Sequence, residues 1–230
     1  MMISVVVPAY NEESVLERCL LSLRSQTVPC EIVVCDNNST DRTHEIAMRL
    51  AHKVVRERRQ GIAHAFNAAI RASSGDLIAM TGADCIAPRD WLEKASAAFG
   101  DGGVVACYGP VLTIEDTHRR TFKAYNLFNR ALVGLKLSWG VSDANLLVRR
   151  SVLERVGLFD PRVQMLEDSW LLGKIRRYGK IKFINHNYIK TSARRLESSG
   201  IAKVFAERTL AMLKLKIFHR LGDEHFEPVR

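Results

Sequence analysis

Short apolar runs alternate with amphipathic stretches along the first half of this chain. Four runs of mainly β-branched or other apolar residues, at 3–7, 31–35, 53–55 and 77–80, predict buried strands. Between them, apolar residues recur three and four positions apart, which predicts helices that each bury one face. Strands and helices that alternate in this way are typical of a parallel sheet with right-handed crossovers, so we expect an α/β fold.

The second half of the chain is less regular. Its short apolar runs predict three further strands, at 104–108, 145–148 and 181–184. Its amphipathic stretches predict three further helices, at 122–137, at 150–156 and around Trp170 up to Gly179.

Basic and apolar residues share the stretch from about 198 to 221, where a broad apolar arc faces a basic side. This combination predicts a helix that either packs on the domain or lies in a membrane interface. We therefore expect one α/β domain over residues 1–195 and a basic amphipathic helical appendage over residues 196–230.

A lone carboxylate, Asp84, follows the run at 77–80. The carboxyl ends of parallel strands form the ligand crevice of an open α/β sheet, so we expect Asp84 at a binding edge. An acid at this position either caps the next helix or holds a hard cation against a phosphate.

Composition limits the size and the partners of the protein. With 230 residues, 47% hydrophobic and 26% charged, the chain has room for one large domain, or for a domain and an appendage. No run of about eighteen apolar residues predicts a membrane span, and no typical leader precedes the first strand, so we expect a cytoplasmic protein. The formal charge of +9 favours an anionic partner: nucleic acid, an anionic membrane surface or a phosphorylated substrate.

The five cysteines predict neither a disulfide framework nor a zinc site. Their number is odd, and no two of them form a C-x-x-C pair. We expect reduced, buried thiols at Cys19, Cys30, Cys35, Cys85 and Cys107.

Two common phosphate-binding motifs are missing from the sequence. No G-x-G-x-x-G follows the first strand, and G-x-x-x-x-G-K-[ST] occurs nowhere. The turn after the first strand is instead PAYNE, residues 8–12, which offers an aromatic ring and polar atoms. Neither a dinucleotide site nor a Walker loop is predicted.

Five segments, in this order, resemble the inverting family 2 glycosyltransferases of the GT-A fold. They are VVVPAYNE at 5–12, CDNNSTD at 35–41, Gly61 with Ala65 and Asn67, Gly75-Asp76 before the Asp84 strand, and GLFD at 157–160 with Glu167-Asp168. The resemblance covers about residues 3 to 180. It implies a Rossmann-like, mixed but mostly parallel sheet flanked by helices.

The resemblance also implies a nucleotide-sugar donor. In this family, the turn after the first strand and the aspartate after the second hold the base and the ribose, here Pro8, Tyr10, Glu12 and Asp36. Taken alone, Asp36 also fits a turn or cap residue. The remaining residues that we expect at the donor are Ala9, Asn38, Gly61, Ala65, Asn67, Ala83, Asp84, Arg194 and Arg195. The two arginines belong to a basic segment, 191–195, that either lies near the donor phosphates or is a solvated loop.

By the same resemblance, Asp84 is the last acid of an Asp-x-Asp motif that binds Mg²⁺ or Mn²⁺ against the diphosphate. This sequence departs from the motif at Gly82, where the family has its first aspartate. The departure removes one charge and one acceptor. His186 is a candidate additional ligand, with a purely structural histidine as the alternative.

The implied reaction is displacement at the anomeric carbon. Asp168, with Glu167 beside it, is the candidate base for an acceptor hydroxyl, or a helix-start acid stabilised by the dipole. A lipid phosphate acceptor would be ionised already and would need no base. Trp139, Gly140 and Asn145 lie where family members shape the sugar and acceptor pocket.

We therefore expect a metal-dependent hexosyltransferase that uses GDP-mannose, or a UDP-sugar, and a lipid-linked or saccharide acceptor. It would work in the cytoplasm, free or peripheral at the inner face of the membrane. A non-catalytic nucleotide-sugar binder is the alternative. Nucleic acid is not an expected partner, because the sequence has no recognised module and few aromatic residues for stacking.

Overall fold

The computed structural model describes residues 1–134, 143–163 and 166–194, and residue 210. The described residues form two sheets, with helices on both faces of the larger one. The strands are β1 (Ile3–Ala9), β2 (Glu31–Asp36), β3 (Lys53–Arg56), β4 (Leu77–Met80), β5 (Cys85–Ile86), β6 (Val104–Tyr108), β7 (Val111–Thr113), β8 (Leu146–Arg149), β9 (Lys180–Phe183) and β10 (Ile189–Thr191).

Helices connect most of these strands. They are α1 (Leu16–Arg24), α2 (Thr43–Leu50), α3 (Ile62–Ala72), α4 (Trp91–Ser96), α5 (Arg119–Gly134), α6 (Arg150–Val156) and α7 (Glu167–Ile175). Short 3₁₀ turns occur at Ala97–Gly100, Asp116–His118 and Asp143–Asn145.

The main sheet has seven strands in the order β3-β2-β1-β4-β8-β6-β9. Neighbouring strands are parallel except at β8, which runs antiparallel to both β4 and β6. This arrangement confirms the predicted α/β fold with a mixed, mostly parallel sheet. The run at 77–80 is the fourth of the seven strands, so the segment that ends in Asp84 leaves the middle of the sheet.

The sheet separates two hydrophobic clusters because successive strand residues face opposite sides. Val5 and Val7 of β1 face the cluster that includes α1 and Trp91 of α4. Val6 faces the other cluster, which α3, α6 and α7 cover with residues such as Phe66. Burial on both faces explains why the central strands are continuous apolar runs.

The smaller sheet has the order β5-β10-β7 and was not predicted. Its strands are two or three residues long, too short to give a periodic pattern. The basic segment 191–195 was expected to follow the last predicted strand, at 181–184, but Thr191 belongs to the further strand β10. The sheet matters for the site because β10 pairs with β5 directly after Asp84, with Thr191 opposite Cys85.

The helix around Trp170 also differs from its prediction, because α7 ends at Ile175 and not at Gly179. Residue 179 is nevertheless required to be a glycine by packing, because a Cβ there would lie 2.5 Å from Val105 Cγ1 and 2.7 Å from the Gly103 carbonyl oxygen. The predicted appendage, residues 196–230, lies outside the described residues apart from residue 210. Within the described part of the chain, no helix is both long and apolar enough to cross a membrane.

Candidate functional site

The turns after β1 and β2 contact each other at the carboxyl edge of the main sheet. Because the strands are parallel neighbours, both segments leave the sheet at this edge. The Asn11 N–H donates to Ser39 Oγ over 3.0 Å, and the Thr40 N–H donates to Asn11 Oδ1 over 2.9 Å. The predicted donor segment 8–12 is therefore fixed against the segment that follows Asp36.

Asp36 is a buried carboxylate at the last position of β2. Its Oδ1 accepts a hydrogen bond from the Ser39 N–H over 2.9 Å. Its Oδ2 lies 3.1 Å from His44 Nδ1 and 3.6 Å from Arg56 Nε. These contacts fix the orientation of a carboxylate that has the acceptor atoms a base or ribose requires.

Asn37 is a structural residue of this edge that the sequence analysis missed. Its Nδ2 donates to the carbonyl oxygens of Glu57 and Arg59, each over 2.8 Å. Its Oδ1 accepts from the Gly61 N–H over 3.0 Å. Asn37 therefore holds the loop between β3 and α3 against the end of β2. The predicted residue, Asn38, is exposed and has a left-handed backbone with a φ of 70°.

Asp84 is half-buried where the chain leaves β4. A Cβ atom on Gly82 would lie 2.9 Å from Asp84 Oδ1 and 3.4 Å from Cys85 Sγ. The Asp84 carboxylate thus lies where a side chain at residue 82 would begin. Asp84 therefore occupies part of the space that an aspartate at residue 82 would need.

Two thiols lie beside this carboxylate. Cys85 Sγ donates to Asp84 Oδ1 over 3.6 Å, and Cys19 Sγ donates to the Gly82 carbonyl oxygen over 3.4 Å. Burial, and then the negative charge of Asp84, raise the pKa of both thiols far above its ordinary value. Both thiols are therefore protonated at neutral pH when no metal ion is bound.

The Asp84 carboxylate supplies oxygen donor atoms, which suit Mg²⁺ or Mn²⁺ better than a soft cation. Among the residues that the structure describes, no group of three or more His, Cys, Asp or Glu could hold a metal ion. Sites with one or two carboxylates normally complete their coordination with phosphate oxygens and water. Asp84 fits such a cation when a diphosphate is bound with it.

Arg194 reaches this edge from the end of β10. Its Nη2 bonds to both carboxylate oxygens of Glu12 in an ion pair that joins residues 182 positions apart. Burial lowers the pKa of Arg194, but the bonds to Glu12 and the charge of Asp84 more than reverse this and raise it. Glu12, Asp84 and Arg194, all predicted at the donor, therefore interact electrostatically in the folded chain.

Glu115 holds the segment that precedes Arg194, and the sequence analysis did not identify it. Its Oε2 accepts from the Ala193 N–H over 2.9 Å and from Thr113 Oγ1 over 2.8 Å. Its Oε1 accepts from Ser192 Oγ over 3.1 Å. Burial alone would raise the pKa of Glu115, but these hydrogen bonds lower it overall.

Two asparagines predicted at the substrates, Asn67 and Asn145, form hydrogen bonds to other parts of the protein. Asn67 Nδ2 donates to the Phe159 carbonyl oxygen over 2.8 Å, and its Oδ1 accepts from the Phe159 N–H over 3.0 Å. Asn145 Oδ1 accepts from Trp91 Nε1 over 2.8 Å, and its Nδ2 donates to the Pro110 and Asn187 carbonyl oxygens. Both side chains are almost fully buried, so the structure gives them structural roles.

The other predicted residues divide by exposure. Pro8 and Tyr10 are partly exposed at the edge, and Gly61 is exposed with a φ of 132°. The alanines are buried: Ala9, Ala65 and Ala83. His186 is exposed. The predictions for Trp139, Gly140 and Arg195 lie outside the described residues.

The predicted base lies on a separate element, at the start of α7. Asp168 is 3% exposed, and its Oδ1 accepts from the Ser169 N–H over 2.6 Å. Glu167 precedes it, and Leu166 has a left-handed backbone with a φ of 59°. A buried carboxylate oriented by a backbone N–H has the fixed position that proton transfer requires.

The chain is similar to known proteins over most of its length. The family described as Glycosyl transferase family 2 matches residues 4–157. Glycosyltransferase AglE of Haloferax volcanii is 31% identical over 168 residues, which are 68% of this chain and 55% of AglE. The dolichyl-phosphate hexose transferase of the same organism is 28% identical over 147 residues, 64% of each protein.

A solved structure shares the fold and exceeds this chain in length. The mannosyltransferase PcManGT from Pyrobaculum calidifontis, in complex with GDP-Man and Mn²⁺, superposes with a TM-score of 0.66 at 26% identity. The match covers 90% of this chain and 64% of PcManGT. The chain thus spans 55% of AglE and 64% of the other two proteins.

Proposed function

This chain belongs to glycosyl transferase family 2, and we propose that it transfers a hexose from a nucleotide-sugar donor to a lipid-linked or saccharide acceptor. The observation that supports this best is the meeting of Glu12, Asp84 and Arg194 at the edge where β2 ends in Asp36. One edge of the sheet therefore offers carboxylate oxygens that can accept hydrogen bonds from a base or ribose, and a guanidinium that can bind phosphate.

In this proposal the donor lies along the carboxyl edge. Asp36 accepts a hydrogen bond from the base or ribose. Pro8 at the end of β1 and Tyr10 in the turn that follows contact the same part of the donor. Arg194 binds the diphosphate, because a guanidinium matches phosphate oxygens in charge and geometry. Asp84 would hold Mn²⁺ or Mg²⁺, which would supply further charge neutralisation for the departing diphosphate.

The reaction forms a bond between an acceptor oxygen and the anomeric carbon while the bond from that carbon to the diphosphate oxygen breaks. The acceptor approaches from the opposite face, so the configuration inverts. Asp168 takes the proton of an acceptor hydroxyl. A lipid phosphate is ionised already, and for such an acceptor Asp168 serves only to orient.

We propose GDP-mannose as the donor, with a UDP-sugar as the alternative. The similarity to PcManGT, whose structure contains GDP-Man and Mn²⁺, supports this choice. The similarity to a dolichyl-phosphate hexose transferase supports a lipid-linked acceptor. A lipid-linked acceptor would bring the protein to a membrane surface, and the charge of +9 favours an anionic one.

Gly82 favours a second candidate, a protein that binds nucleotide sugars without catalysis. The site has one acid fewer than the usual motif, which lowers the negative charge available to a metal ion. The two candidates share the donor site and differ in turnover.

The test combines binding with turnover. Thermal shift against GDP-mannose, UDP-glucose and UDP-GlcNAc, with and without Mn²⁺, identifies the donor because a ligand of the folded state raises the Tm. Hydrolysis of that donor is then measured for wild type, Asp84→Asn and the control Asp90→Asn, whose carboxylate pairs with Lys94. We expect Mn²⁺-dependent release of sugar that Asp84→Asn abolishes and Asp90→Asn retains. Binding without turnover would establish the second candidate, and no shift with any nucleotide sugar would refute both.

A further inference from the structure

The Glu12–Arg194 ion pair joins two residues that the donor itself would need. Glu12 lies in the turn after β1, and its N–H donates to Thr43 Oγ1 over 2.7 Å. Arg194 follows β10, whose end is held by Glu115. Both backbone segments are therefore fixed, and the two side chains meet between them.

The pair is partly shielded from water, which strengthens the attraction. The side chains of Arg194 and Glu12 are 33% and 18% exposed. A single nitrogen of Arg194, Nη2, donates to both carboxylate oxygens of Glu12. An incoming diphosphate must therefore compete with the Glu12 carboxylate for Nη2, and at Nε or Nη1 it would share the guanidinium charge with that carboxylate.

Charge decides this competition. The three groups are one guanidinium, Arg194, and two carboxylates, Glu12 and Asp84. A metal-free diphosphate would bring at least two more negative charges into this cluster. A diphosphate that carries a divalent cation would let Arg194 turn to phosphate, while the cation offsets Glu12 and Asp84.

We propose that Glu12 is a specificity-determining residue that makes the site select the metal complex of a diphosphate over the free diphosphate, by holding Arg194 until the cation arrives. This inference rests on the proposed function. It makes cation and diphosphate binding mutually dependent, as two ligands that each favour the open ion pair must be. Gly82 fits this role, since without a second acid at residue 82 the nearby carboxylate of Glu12 supplies the missing negative charge.

The test measures binding and needs no turnover. Calorimetry gives the affinity of GDP and UDP, with and without Mn²⁺, for wild type, Glu12→Gln and Arg194→Ala. Electron paramagnetic resonance of free Mn²⁺ gives the affinity for the metal alone. Glu13→Gln is the matched control, because this substitution removes the same charge one residue away. The exposed carboxylate of Glu13 pairs with Arg42 and not with Arg194.

We expect Glu12→Gln to bind metal-free diphosphate about tenfold more tightly than wild type, since Arg194 is released. The gain in diphosphate affinity on adding Mn²⁺ should shrink in the same variant. Arg194→Ala should bind diphosphate at least about tenfold more weakly, and Mn²⁺ alone more tightly, because both carboxylates lose their counter-ion. Glu13→Gln should match wild type in all of these measurements.

The result that overturns the inference is a Glu12→Gln variant that binds diphosphate more weakly, equally with and without Mn²⁺. Glu12 would then be an ordinary donor contact, and the proposed function would stand. Equal gains in Glu12→Gln and Glu13→Gln would also overturn it, since a general charge effect would explain them. If wild type bound no nucleoside diphosphate even with Mn²⁺, the proposed function would fail and this inference with it.

Discussion

Replacing Asn67 with alanine distinguishes the role that the sequence predicts for this residue from the role that the structure gives it. The family resemblance places Asn67 at the donor. In the structure, its amide bonds to both the N–H and the carbonyl oxygen of Phe159, and it is 4% exposed. The same contact supports the stacked rings of Phe66 and Phe159, whose centroids lie 5.0 Å apart.

The variant leaves two buried backbone groups of Phe159 without their partner. Each such group costs about 1–3 kcal/mol. The sum is about 2–6 kcal/mol, which lowers the Tm of a domain of this size by about 4–24 °C. Donor affinity should stay within about twofold of wild type, because the buried Asn67 amide bonds to Phe159, and changes at sites that share no partner act independently.

Differential scanning fluorimetry measures the Tm, and calorimetric titration with GDP and UDP in the presence of Mn²⁺ measures donor affinity. Arg71→Ala is the control, because Arg71 is exposed on the same helix. It should leave both quantities unchanged. An Asn67→Ala protein with a wild-type Tm and a diphosphate affinity reduced tenfold or more would refute the structural role and restore the predicted one.

Three further predictions follow from other parts of the molecule. Gly82→Asp should push the Asp84 carboxylate away, because the new Cβ would lie 2.9 Å from Asp84 Oδ1. The two neighbouring acids should then make Mn²⁺ raise the Tm more than it does in wild type. An equal rise in Tm would contradict this prediction. Gly109→Ala should destabilise the fold by more than about 3 kcal/mol, since its Cβ would overlap the Asn187 carbonyl oxygen at 1.8 Å, and a soluble variant with wild-type urea unfolding would disprove it. Burial raises the pKa of Cys30 to about 11 and of Cys107 to about 12. Alkylation of these thiols in the native protein should therefore be slow at pH 8 and accelerate toward pH 11. The free energy of unfolding should stay constant up to about pH 9 and fall above it, because the unfolded state loses the thiol protons first. Rapid alkylation at pH 8 would show that the thiols are not buried.

The first four strands and the helices between them could be predicted because their signals are local. The run at 77–80 is buried on both faces and flanked by turn residues, and it forms the predicted central strand. The strands β5, β7 and β10 could not be predicted, because two or three residues give no periodicity and their pairing joins distant parts of the chain.

The site was predictable in its residue types and less so in its contacts. Asp36, Asp84, Glu12 and Arg194 all lie at or reach the expected edge. No sequence pattern could pair Glu12 with Arg194, since the contact depends on β10, which was not predicted. Asparagine is hard to interpret from sequence, because the same amide can serve a ligand or a buried group of the fold. In the structure the Asn67 amide bonds to the Phe159 backbone, and the Asn145 amide bonds to backbone carbonyls and to Trp91.

The most direct measurement is a crystal structure of the protein soaked with Mn²⁺ and, in separate crystals, with GDP-mannose, UDP-glucose or UDP-GlcNAc, with anomalous data collected at the manganese edge. The account predicts an anomalous peak at bonding distance from Asp84 and a diphosphate oxygen, with the base beside Asp36 and Arg194 turned from Glu12 to phosphate. A nucleotide bound elsewhere, or no peak at this edge from crystals soaked with any of the three nucleotide sugars, would contradict it.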